Sequence, residues 1–107
     1  MDLKAFPAEV KEVMGYALYQ AQLGLKASSA KPLHGFGSAS ILEIFEDYQT
    51  DTYRAVYTVK FSGVIYVLHA FQKKSKKGGV TPKADMELIK RRLRAAQEHY
   101  AARALRK

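Results

Sequence analysis

Apolar residues at Val10, Val13, Met14, Ala17, Leu18, Ala21 and Leu25 recur three or four positions apart, the spacing of one stripe on an α-helix. Pro7 suits the first helical position. The spacing therefore predicts a helix from residue 7 to about residue 26, ended by Gly24 and the stretch SSAKP. Tyr16, Tyr19 and Leu23 fall off the stripe, which predicts cover on a second side of the helix. Residues 28–40 are rich in Ser, Gly and Pro and read as a loop. Three strand-like runs follow, at about 41–47, 52–60 and 64–72, separated by YQTD and by Ser62 and Gly63. Turns that short predict a three-stranded antiparallel meander. In the second run Tyr53, Ala55, Tyr57 and Val59 share one face, and Arg54, Val56, Thr58 and Lys60 share the other. The third run is apolar at nearly every position, which suits a central strand covered on both sides.

A basic, glycine-containing connection, KKSKKGGV, leads to the last element. Thr81 reads as a helix N-cap, Pro82 as the first helical residue and Asp85 as a first-turn acid. This helix runs to about residue 105. Met86, Ile89, Leu93, Ala96 and Tyr100 form its apolar stripe, and Lys83, Lys90, Arg91 and Arg94 lie on a basic face. The predicted architecture is one α+β domain over residues 1–107: an N-terminal helix, the meander and a basic C-terminal helix.

Charge sharpens this picture. The net charge is +8, but residues 1–69 carry six Lys/Arg against seven Asp/Glu, and residues 70–107 carry twelve against three. The positive surplus is confined to the last third, which points to a polyanionic partner such as nucleic acid; a basic surface that only aids solubility is the plainer reading. With no cysteine, a disulfide framework, a thiolate metal site and a cysteine nucleophile are excluded. His34, His69 and His99 are scattered, and neither a metal nor a cofactor is expected. The N-terminal stretch MDLKAFPAEVKE carries charges and no apolar signal-peptide core. No segment reaches the ~18 apolar residues of a membrane span, so a cytoplasmic protein is expected. The chain lacks a P-loop, a GxGxxG loop, an HExxH pair and a nucleophile elbow.

Three features could carry chemistry. Lys73, Lys74, Lys76 and Lys77 precede Gly78 and Gly79 at the end of an apolar strand. They form either a phosphate site helped by the N-terminus of the following helix or a solvated turn. Arg54 lies in the otherwise apolar run TYRAVY. Its guanidinium must reach water, a phosphate, or a carboxylate such as Glu43, Glu46 or Asp47 on the neighbouring strand. His69 interrupts the third strand and is either an acid–base group or a hydrogen-bonded structural residue. Among the aromatic residues, Phe71 and Tyr100 are the candidates for stacking on single-stranded RNA bases.

The segments FPAEVKEVMGYALYQAQLG, KPLHGFGSASILEI, TYRAVYTVKFSGVIYVLHAFQKKSKKGGVTP and the closing basic helix resemble the phage-derived, HigB-like branch of the RelE/ParE toxin superfamily. The resemblance covers nearly the whole chain. It implies a small RelE-like fold and the toxin of a type II toxin–antitoxin system. The implied activity is a ribosome-dependent, metal-independent mRNA endonuclease in which the 2′-OH attacks the adjacent phosphate. Arg54 takes the position of the family's phosphate-binding arginine, and Lys73 and Lys74 fall where relatives carry a second catalytic basic residue. A lysine or His69 would move the proton. Lys76, Lys77, Lys90, Arg91 and Arg94 would grip ribosomal RNA. The implied partners are a helix-turn-helix antitoxin, the ribosome and mRNA. The superfamily also implies two other outcomes, a ParE-like gyrase poison without enzymatic activity and a degenerate antitoxin- and DNA-binding regulator. Two departures stand out. Glu43 and Glu46 occupy a strand that in RelE carries lysines, and MDLKAFP replaces the short strand with which related chains begin, which implies an uncovered sheet edge.

Overall fold

A computed structural model describes residues 3–25, 30–36, 40–49, 51–73 and 81–105. A single 3-10 turn, Leu3–Ala5, precedes helix α1, Ala8–Gln22. Pro7 stands just outside α1 as its cap, with φ −56° and ψ 151°, and its carbonyl accepts from Lys11 N–H at 2.9 Å. The helix ends before residue 26 because Gly24 takes the left-handed conformation at φ 83°. There Leu25 N–H reaches Gln20 O at 2.9 Å and Gly24 N–H reaches Ala21 O at 3.0 Å, the double bond of a Schellman stop.

Among the described residues four strands follow rather than three: β1 (Ala30–Pro32), β2 (Ile41–Tyr48), β3 (Asp51–Thr58) and β4 (Tyr66–Lys73). They form one antiparallel sheet in the order β1-β2-β3-β4. The extra strand lies in the expected loop. It has three residues and no period of its own, and pairing of Ala30 with Ile44 and Pro32 with Leu42 creates it. Proline is tolerated there because β1 is an edge strand. This corrects the expected place of the third strand: β4 is an edge, and β2 and β3 are central. Strand β3 stops at Thr58, short of the expected residue 60. The Thr58 hydroxyl donates to Ser40 O at 2.9 Å and accepts from Lys60 N–H at 3.1 Å, which turns the chain out of the sheet. Helix α2 spans Lys83–Leu105.

The alternation in β3 separates the two sides of the sheet. Tyr53, Ala55 and Tyr57 join Leu42, Ile44 and Ala70 against Val10, Met14 and Ala17 of α1. On the other side Ile41, Val56, Leu68 and Phe71 meet Ile89 and Ala96 of α2. A register shift opposite Val56 and Tyr57 lets Leu68 join Phe71 in that second cluster, although strict alternation would turn it away. The expected second cover on α1 is not found: Tyr16, Tyr19 and Leu23 are exposed, as are Val13 and Leu25 of the stripe itself.

Tyr57 is the largest fully buried side chain, and its hydroxyl has no hydrogen-bond partner among the described residues. Burial pushes the phenol above its ordinary value, because phenolate would lose its hydration. The folded chain therefore keeps a proton that the unfolded chain releases, so stability is intact below about pH 10 and falls as pH rises beyond it. Tyr57→Phe is expected to raise the unfolding free energy by about 1 kcal/mol or more at pH 7 and to flatten that alkaline decline. Urea melts at pH 7 and pH 10.5 measure both; a variant less stable than wild type would mean the hydroxyl has a partner.

Candidate functional site

Register brings three of the candidate residues onto the α2 side of the sheet. Arg54 pairs with Phe71 and Val56 pairs with His69, and directly paired residues share a face. The backbone of Lys73 closes β4 opposite Thr52. Lys74, Lys76 and Lys77 lie outside the described residues.

Arg54 is engaged by Glu43, Nη1 to Oε2 at 3.2 Å, with side chains 7% and 5% exposed. Glu43 faces Val56 and Arg54 faces Phe45, so the two are diagonal neighbours on one face, a separation that two long side chains bridge. The carboxylate on the neighbouring strand is thus Glu43, not Glu46 or Asp47. Asp47 instead accepts from the Thr52 hydroxyl at 2.7 Å. Both side chains are largely buried, so removing one partner leaves the other charge poorly compensated.

His69 is held from both sides. Its Nε2 lies 2.8 Å from Asp85 Oδ1, and its Nδ1 lies 3.4 Å from Arg92 Nη1, which also donates to Leu68 O at 3.1 Å. A guanidinium only donates, so Nδ1 accepts and the ring proton sits on Nε2, facing Asp85. The ring stacks on Phe71 with centroids 4.8 Å apart and planes at 17°. Phe71 is buried and has its face on a protein partner. Asp85 and Arg92 lie seven residues apart, on one face of α2. That spacing was visible in the sequence, but nothing there named His69 as their common target.

Tyr100 is not part of this group. It stands fifteen residues beyond Asp85 on α2, roughly 22 Å along the helix axis. There it packs on Phe61 at 5.0 Å between centroids and donates to Ser62 O at 3.0 Å. Lys90, Arg91 and Arg94 are exposed on α2, as a basic gripping face requires.

A cavity of about 540 Å³ adjoins the Arg54–Glu43 pair. Among the described residues its walls include Lys31, Leu33, His34, Glu43, Thr81 and Met86. Sequence reasoning missed it because its walls come from β1, β2 and the entrance to α2. Thr81 was expected to cap α2, but the helix starts at Lys83. Pro82 O takes the bond from Met86 N–H at 3.0 Å, and the buried Thr81 hydroxyl has no partner among the described residues.

Among the described residues no group of three or more His, Cys, Asp or Glu side chains could hold a metal ion, and no helix is long and apolar enough to cross a membrane. No curated protein and no solved structure is similar enough to the chain to count as a match. The sequence pattern of a family described as phage-derived protein Gp49-like matches residues 1–94, which takes in the whole sheet, the Arg54–Glu43 pair and the Asp85–His69–Arg92 cluster. The chain therefore belongs to the phage-derived Gp49-like family, a RelE/toxin-like family.

Proposed function

We propose that this protein is the toxin of a type II toxin–antitoxin pair and that it cuts mRNA on the ribosome without a metal. The observation that carries the reading is the pairing of β3 with β4. It sets Arg54 and His69 on one sheet face, on the strand pair from which the lysine run departs. In the reaction the 2′-oxygen bonds to the adjacent phosphorus, the bond from phosphorus to the 5′-oxygen breaks, and the products are a cyclic phosphate and a 5′-OH. A base takes the 2′ proton, an acid supplies one to the leaving oxygen, and cations hold the charge on the phosphoryl oxygens. Arg54 fits the last role, joined by Lys73 and Lys74, and contact with phosphate requires its buried pair with Glu43 to open toward substrate. Both nitrogens of His69 are engaged by α2, so proton transfer through it requires the Asp85 or Arg92 contact to open when substrate binds. Lys76, Lys77, Lys90, Arg91 and Arg94 serve as contacts to ribosomal RNA backbone, which makes binding salt-dependent. A helix-turn-helix antitoxin is the proposed partner that restrains the activity.

The internal pairing of both Arg54 and His69 favours a second reading, a toxin that acts by binding alone, as a gyrase poison does. Induced expression distinguishes the two. The endonuclease reading expects growth arrest with new mRNA 5′ ends inside translated messages. It also expects purified protein to cut ribosome-bound message and to leave the same message uncut when no ribosome is present. Growth arrest with DNA-damage signalling and intact messages would instead establish the binding toxin.

A further inference from the structure

The cavity beside Arg54 and Glu43 is built for a polar occupant. Its volume of about 540 Å³ falls in the ~300–1,000 Å³ range of small-ligand sites. Leu33 and Met86 supply apolar walls. Gly35, at φ 102°, lets Met86 pack closely against this wall, since a Cβ there would come 2.9 Å from the end of that side chain. Two buried polar residues line this space. Thr81 is 9% exposed and its hydroxyl is unpartnered among the described residues. Glu43, held by Arg54 through one oxygen, presents a carboxylate that can only accept. Lys31 and His34 are exposed and line the cavity as well.

Resting on the RNA-cleaving reading above, we infer that this cavity takes one unstacked base of the RNA, and that the base carries an exocyclic amino group. A planar base would lie against the apolar side chains of Leu33 and Met86, and the Met86 thioether favours aromatic rings. The amino group of guanine, adenine or cytosine donates to Glu43, as carboxylates accept from cytosine N4 in other complexes. The Thr81 hydroxyl, once turned toward the base by rotation of its side chain, bonds to a second edge atom, and Lys31 and His34 meet the flanking phosphate. Uracil has no amino group, and its single N3–H donor is flanked by two carbonyl oxygens that the Glu43 carboxylate repels, so it binds more weakly.

The test is calorimetric titration of the purified protein with GMP, AMP, CMP and UMP and with short RNAs containing a single G, A or C in a uridine tract. Ribosome-bound message is cut in parallel by wild type, Thr81→Val and Thr81→Ser. The inference expects saturable binding of at least one amino-bearing nucleotide and of the RNA that contains its base. UMP and an all-uridine RNA should bind about tenfold more weakly or worse. Thr81→Val should weaken binding about tenfold without lowering the melting temperature, and Thr81→Ser should restore it. No saturable binding, equal affinity for UMP, or full affinity in Thr81→Val overturns the inference. Binding of mononucleotides without the RNAs overturns the assignment to an RNA base. Cutting of message by a protein that binds no base leaves the endonuclease reading standing and removes the pocket. Selective RNA binding with no cutting keeps the pocket and removes the endonuclease.

Discussion

Replacing Arg54 with alanine is expected to lower the unfolding free energy by roughly 3–5 kcal/mol, because the largely buried Glu43 carboxylate loses its counter-charge. A domain of this kind has about 5–15 kcal/mol in total, so the variant should melt far earlier and accumulate poorly. Loss of toxicity in Arg54→Ala alone therefore says little about chemistry. The informative comparison is the double variant Glu43→Leu, Arg54→Met, which replaces the ion pair with apolar groups of similar size. Such replacements are often neutral or stabilising, so its urea midpoint should return close to wild type. A stable double variant that cuts no message would assign Arg54 to the reaction. A stable double variant that cuts normally would make Arg54 a structural residue. A single variant as stable as wild type would contradict the buried pair itself.

Truncating Ile89 to alanine is expected to cost about 2–5 kcal/mol, the range for removing a large buried aliphatic side chain. Ile89 is fully buried between α2 and the sheet, midway between Asp85 and Arg92, and so anchors the turns of α2 that grip His69. Met14→Ala, at an equally buried position under α1, should cost a similar amount. The two should differ in where stability is lost. Hydrogen exchange in Ile89→Ala should show α2 amides exposed before the sheet, whereas Met14→Ala should leave α2 protected to the global limit. A loss below about 1 kcal/mol in Ile89→Ala would mean that α2 is held mainly by its polar contacts.

The parts of the fold that were legible in the sequence depend on neighbours along the chain. The stripe containing Val10, Met14, Ala17 and Ala21 announced α1 and its buried face. The two-residue alternation of β3 separated Tyr53, Ala55 and Tyr57 from Arg54 and Val56 before any packing was known. The misreadings share a cause of the opposite kind. Ala30–Pro32 becomes a strand only because β2 lies beside it, and its presence leaves β4 at an edge despite its apolar composition. Thr81 had the chemistry of a cap, yet the helix began two residues later, and its buried hydroxyl has no partner among the described residues.

The candidate site divides in the same way. The sequence by itself determined which residue types were out of place in an apolar sheet, Arg54 and His69, and that positive charge gathers after residue 69, since both are properties of composition and local period. Only the tertiary structure decided that Glu43 rather than Glu46 or Asp47 meets Arg54, that Asp85 and Arg92 close on the two nitrogens of His69, and that Phe71 joins them while Tyr100 does not. Those choices follow from strand register, the shift beside Leu68 and the path of α2 across the sheet. Each joins residues far apart in the chain, where no local period carries information about which side chain a charge will find.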